Sequence, residues 1–99
     1  MKVVLSDAAS IDLAAIADYI ARDNPRRALS FVRELRVAAL GLGDMPRMFS
    51  LVPRYAHQDI RRRPFRNYLI FYRVEADRVA IIRILHGAQD YETLLFPEP

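Results

Sequence analysis

Apolar residues recur at helical spacing through the first half of the chain and at strand spacing through the second. Lys2-Val3-Val4-Leu5 is a short β-branched run that predicts a first strand. Ser6 or Asp7 then offers a cap for a helix through about Arg22, with Leu13, Ile16, Ala17 and Ile20 at i, i+3, i+4 and i+7 forming one stripe. Asn24-Pro25 starts a second helix, a capping side chain followed by a proline where the first helical N–H needs no partner. Ala28, Phe31, Val32, Leu35, Ala39 and Leu42 hold the helical period until Gly41 and Gly43 loosen it and Pro46 forbids continuation. The short link between the helices makes them an antiparallel hairpin.

Beyond Pro46 the period shortens. Met45 to Ala56, with Pro46 and Pro53, reads as a surface loop with Met48, Phe49 and Leu51 tucked beneath it. His57 to Arg63 predicts a strand with Asp59, Arg61 and Arg63 on one side and Ile60 and Arg62 on the other. Asn67 to Val74 is apolar on both faces, which marks a central strand. The polar turn Glu75-Ala76-Asp77-Arg78 joins it to Val79–Leu85 as an antiparallel hairpin. On that last strand Val79, Ile81, Arg83 and Leu85 alternate with Ala80, Ile82, Ile84 and His86. Asp90 can cap a short C-terminal turn or helix in which Tyr91, Leu94 and Leu95 share a side; this end is expected to dock on the body, leaving only Pro97 to Pro99 loose. The predicted fold is α+β: a short N-terminal strand and a helical hairpin packed on a small, mostly antiparallel sheet, in the order β-α-α-β-β-β.

Length and composition narrow what such a fold can do. At 99 residues a single domain, 1–99, is expected, and 53% hydrophobic residues supply its core. The absence of cysteine excludes disulfides, zinc fingers and iron–sulfur clusters. With His57 and His86 the only histidines and no carboxylates at ligand spacing, no metal is expected, nor any cofactor, since phosphate-binding glycine loops are missing. Met1-Lys2 runs directly into Val3-Val4-Leu5 and Ser6-Asp7 without a long apolar stretch, so neither a signal peptide nor a membrane span is expected and the cytoplasm is the expected location.

Charge is placed unevenly. Residues 1–44 balance, residues 45–83 carry nine arginines against Asp59, Glu75 and Asp77, and residues 86–99 are acidic. Arginine supplies 14 of the 15 basic side chains, and its fork suits carboxylate or phosphate, so a partner rich in either is implied. A solvated, salt-bridged face is the alternative. Arg83 interrupts an apolar strand, where its charge must meet an anion, reach water or be paired; Asp59 and Asp90 are the candidate partners. His86 precedes Gly87 at the strand end, as a possible general base or a simple hydrogen-bonding residue. Arg83 and His86 stand three apart, so on a regular strand their side chains leave opposite faces and cannot share one phosphate unless the strand ends or bulges at Leu85. The serines have no nucleophile context.

Taken together, these segments resemble a known family. They are Asp12-Leu13, Ile16 and Tyr19-Ile20; Asn24-Pro25, Ala28 and Phe31; Ile60-Arg61; Tyr68-Leu69-Ile70-Phe71-Tyr72-Arg73-Val74; and Ile82-Arg83-Ile84-Leu85-His86-Gly87 with Asp90. The set, spanning about residues 3 to 91, resembles the RelE/ParE superfamily of bacterial toxins on its ParE side. The resemblance implies the toxin of a type II toxin-antitoxin system that inhibits DNA gyrase by binding and forms a hetero-oligomer with a cognate ParD-like antitoxin. Arg61, Arg63, Arg66 and Arg83 are the candidate target- or antitoxin-binding residues, and an acidic amphipathic antitoxin segment is the expected match to them. The alternative is a metal-independent, ribosome-dependent mRNA endoribonuclease of the RelE type, with Arg61, Arg83, His86 and Tyr91 as its catalytic candidates. The chain departs from that branch in lacking its lysines, Lys2 being the only one. A nucleic-acid-binding module, suggested by the basic pI, is the third possibility.

Overall fold

The computed structural model describes residues 1–96; Pro97 to Pro99 lie outside the described residues. Strand β1 (Lys2–Leu5) leads into helix α1 (Asp7–Ala21), whose cap Ser6 accepts a hydrogen bond from the Ala9 N–H. Helix α2 (Pro25–Leu40) begins as its sequence dictates, with Asn24 accepting from the Arg27 N–H and Pro25 at the first position. It passes into a 3-10 turn, Gly41–Gly43. A Cβ on Gly43 would lie 2.2 Å from the Met1 carbonyl oxygen, so only glycine admits the close approach of the Met1 main chain that leads into β1.

The remaining strands are β2 (Ile60–Phe65), β3 (Tyr68–Val74) and β4 (Arg78–His86), followed by the short helix α3 (Tyr91–Leu95). The sheet order is β1-β4-β3-β2, with β1 parallel to β4 and the other pairs antiparallel. The β-α-α-β-β-β order and the mostly antiparallel sheet are therefore as predicted. The strand expected at His57 to Arg63 is displaced. His57 sits in a 3-10 turn, Ala56–Gln58, because Asp59 takes a left-handed conformation (φ 58°) that breaks extended pairing, and the ladder starts at Ile60.

Each face of the sheet buries its own cluster, which is why β3 reads as apolar on both sides. Beneath the helices, Ile70, Tyr72, Val79, Ile81 and Ile84 meet Ala9, Leu13 and Ile16 of α1 and Phe31, Leu35, Ala38 and Ala39 of α2. Each large apolar side chain so buried contributes about 1.5–3 kcal/mol. On the opposite face Val52, Ile60, Phe71 and Leu85 are covered by Tyr55, Tyr91, Leu95 and Phe96. The C-terminal segment thus docks as predicted through Tyr91 and Leu95, while Leu94 points outward and Phe96 stacks on Tyr55 with ring centroids 3.8 Å apart. In the long loop Val52 is the buried anchor and Met48 is 64% exposed, correcting the expectation that Met48 lay beneath it.

One irregularity resets the last strand. Phe71 pairs with Arg83 but Tyr72 with Ile81, so Ile82 is an extra residue in β4. Val79, Ile81 and Ile84 consequently share the helix side, where strict alternation separates Ile84 from the other two.

Candidate functional site

The two long edges of the sheet carry the candidate residues, and they are built differently. Strand β1 covers β4 only from Arg78 to Ile81. Beyond that point side chains seal the strand's free edge. The Ser6 hydroxyl donates to the Ile82 carbonyl, Asp12 accepts from the Ile84 N–H at 2.9 Å, and Gln89 Oε1 accepts from the His86 N–H at 2.8 Å.

Asp12 is also the partner of Arg83. Arg83 Nε and Nη2 donate to its two carboxylate oxygens at 2.7 and 2.9 Å, a bidentate pair in which the Asp12 side chain is 12% exposed and Arg83 26%. That hydrogen bonding raises the Arg83 pKa above the ordinary guanidinium value. Neither Asp59 nor Asp90 takes this role. The charge in an apolar strand did signal a required anion, but the carboxylate lies 71 residues upstream on α1, a separation no local pattern reveals.

An open cavity of about 470 Å³ adjoins this pair, lined by Asp12, Tyr19, Tyr68, Arg83, His86 and Gln89 among others. Arg83 and His86 therefore do meet in one space, contrary to the expectation from strand alternation. The exposed edge of β4 lets Arg83 turn around it toward α1, with no bulge at Leu85. His86 sets its ring edge-on to Tyr68, 5.3 Å between centroids, and its Nδ1 accepts from the Ala88 N–H. Burial raises the Tyr68 pKa, and neighbouring Tyr19 adds to the rise.

The other catalytic candidates lie elsewhere. Tyr91 packs on Phe71 across the sheet from the helices, and its hydroxyl accepts from Arg62 Nη1 at 2.7 Å. Arg61 donates to the Phe49 carbonyl at 2.7 Å and so holds the long loop against β2. Arg63 lies 4.9 Å over the Phe49 ring and donates to the Pro64 carbonyl. Arg66 reaches Glu34 at 3.0 Å, a carboxylate it shares with Arg27. Those two guanidinium groups, Arg27 foremost, hold the Glu34 pKa below its usual range against a smaller opposing effect of burial. Arg61, Arg63 and Arg66 thus gather near β2, while Arg83 is two strands away at the opposite edge.

What the sequence analysis missed is the outer face of α2. Leu29, Val37 and Leu40 are 65%, 69% and 52% exposed, and Arg26, Arg33 and Arg36 fall on the same stripe by helical spacing. Those three arginines make no ion pair among the described residues. The signal was present as apolar residues off the core stripe of α2. Among the described residues no group of three His, Asp or Glu side chains is placed to hold a metal ion, and no helix is long and apolar enough to cross a membrane.

Comparison with solved structures finds the same fold in a chain of the chromosomal ParDE TA system from P. aeruginosa. The TM-score is 0.73 at 22% identity, over 87% of this chain and 95% of that one. The chain has no significant match among curated proteins. The family model described as ParE toxin of type II toxin-antitoxin system, parDE, matches residues 3–91, nearly the whole length, and on that match the chain belongs to the ParE toxin family.

Proposed function

We propose that this protein is the toxin of a type II toxin-antitoxin pair, acting in the cytoplasm by binding DNA gyrase, and that a cognate ParD-like antitoxin with an acidic amphipathic segment silences it within a hetero-oligomer. Dispersal of the four catalytic candidates carries the choice of binding over bond-breaking. Arg61 is engaged with a loop carbonyl, Arg83 with Asp12 and Tyr91 with Arg62 on the far face, so no phosphate can meet all four. Cleavage of RNA needs a base and an acid within hydrogen-bonding reach of one scissile phosphate, whereas an inhibitor needs complementary surface alone. The family match supports the toxin part of the proposal.

One observation favours the ribonuclease alternative, the meeting of Arg83 and His86 in a single cavity. Against it, Asp12 already neutralises that arginine and would repel an incoming phosphate. Induction of the protein alone in a bacterium separates the two: DNA damage that precedes any change in mRNA integrity supports gyrase inhibition. Early mRNA cleavage in cells with intact DNA overturns it.

A further inference from the structure

The outer side of the helical hairpin, turned away from the sheet, carries two rows of opposite charge. On α1 the stripe opposite the buried Leu13 and Ile16 is Asp7, Ile11, Ala14 and Asp18, at i, i+4, i+7 and i+11, all exposed. On α2 the corresponding stripe holds Arg26, Arg33 and Arg36 among Leu29, Val37 and Leu40, also exposed. Among the described residues none of these aspartates or arginines makes an ion pair, so the rows lie side by side without bridging. Arg22, one turn beyond Asp18, is offset by Asp23 at the hairpin turn. An open cleft of about 350 Å³ between the helices, lined by Ser10, Ala14 and Ala17 of α1 and by Val32 and Arg36 of α2, shows which residues stand level. The Asp7 end of α1 lies beside the Arg36 end of α2, and Asp18 lies beside Arg26.

Such a face is complementary to itself. Two copies can meet on it about a two-fold axis that lies in the contact plane, either across the helices or along them. An axis across the helices sets α1 on α1 and α2 on α2, like charge against like. An axis along them lays α1 of each copy antiparallel on α2 of the other, so that carboxylate meets guanidinium at both ends and apolar side chains meet between. We infer that this face pairs with a second copy of the chain in the latter arrangement, a four-helix layer in which Asp7 meets Arg36, Ile11 meets Val37 and Asp18 meets Arg26 of the other copy, each contact made twice. Helices of 15 and 16 residues give a face about 23 Å long and, two helices wide, about 20 Å across. That is a small interface, so pairing depends on concentration. The inference needs only the two rows and does not rest on the toxin reading proposed above.

The test is sedimentation equilibrium of the purified full chain from about 5 to about 200 μM, where a monomer–dimer equilibrium is expected. Asp18→Arg should weaken the dimer at least about 10-fold, and Asp18→Arg combined with Arg26→Asp should restore it to within about threefold, because the swap rebuilds both pairs with their signs exchanged. Since the chain has no cysteine, Ile11→Cys and Val37→Cys give a second measurement that does not depend on charge. On oxidation an equimolar mixture of the two should form the mixed disulfide dimer, and neither alone should form its own. A chain that stays monomeric across the whole range overturns the proposal. So does a dimer indifferent to Asp18→Arg, or one in which Ile11→Cys links to itself, which would set α1 on α1.

Discussion

The two edges of this small sheet solve opposite problems with the same residue type. At the β4 edge one arginine is half-buried, paired in a bidentate manner with Asp12, and part of a seam that ties α1 to the sheet. At the β2 edge and along α2 the arginines outnumber their carboxylates; Arg61, Arg62 and Arg63 are half-buried and held by carbonyls and a hydroxyl, while Arg26, Arg33 and Arg36 are exposed beside apolar side chains that no described element covers. An arginine whose charge is met within the fold contributes to the fold; an arginine left unpaired beside exposed leucine and valine is available to a partner. The contrast separates structural from functional candidates better than their positions in the sequence do.

Substitutions should reproduce that division, beginning with the sealed edge. Asp12→Ala leaves the Arg83 guanidinium and the Ile84 N–H unpaired and should cost about 3 kcal/mol in urea unfolding; Asp12→Asn, which keeps a hydrogen bond to Ile84, should cost clearly less. A cost below about 0.5 kcal/mol for Asp12→Ala would remove the structural role assigned to the pair. Truncation after Asp90 strips Tyr91, Leu95 and Phe96 from the lower cluster, exposing Phe71 and Leu85, and should lower stability by about 2 kcal/mol after the lost ordering cost is counted. Unchanged stability with lost toxicity would instead mark this segment as a target-binding tail.

At the α2–β2 edge stability should barely respond. Arg33→Ala and Val37→Glu are each expected within about 0.5 kcal/mol of the parent, since neither side chain packs in the core. If either cost as much as Asp12→Ala, the two edges would not differ in kind. The smallest effect is at Glu34. Its pKa is lowered in the folded protein, so what it adds to stability is present above the ordinary carboxylate pKa and fades as pH falls through the depressed value. An NMR titration of the Glu34 carboxyl should show a midpoint below the usual range, moving back toward normal in Arg27→Ala. No movement would detach the effect from Arg27.

Much of this contrast was hidden in the sequence for identifiable reasons. Helix starts were legible because Ser6 and Asn24-Pro25 act locally, and β3 because a strand buried on both sides has few polar positions. The faces of β4 were not, since the extra residue Ile82 leaves no compositional mark. Asp59 concealed the start of β2 in the same way, by a backbone conformation that aspartate tolerates but does not announce. At the site, the need of Arg83 for an anion was legible and its partner was not, because the pairing is tertiary. Arg61, Arg63 and Arg66 were recognisable as a basic group, but whether each is engaged or free depends on Phe49 and Glu34, which only the fold brings near.

The central claim, that the protein acts by surface recognition and not by its own chemistry, is tested most directly with purified parent and His86→Gln. Both are compared for inhibition of gyrase on supercoiled DNA and for cleavage of mRNA on ribosomes. Equal gyrase inhibition by the two proteins, with no ribosome-dependent cleavage by either, is the predicted result. Ribosome-dependent cleavage by the parent that disappears in His86→Gln would contradict it and assign the cavity beside Arg83 to a nuclease.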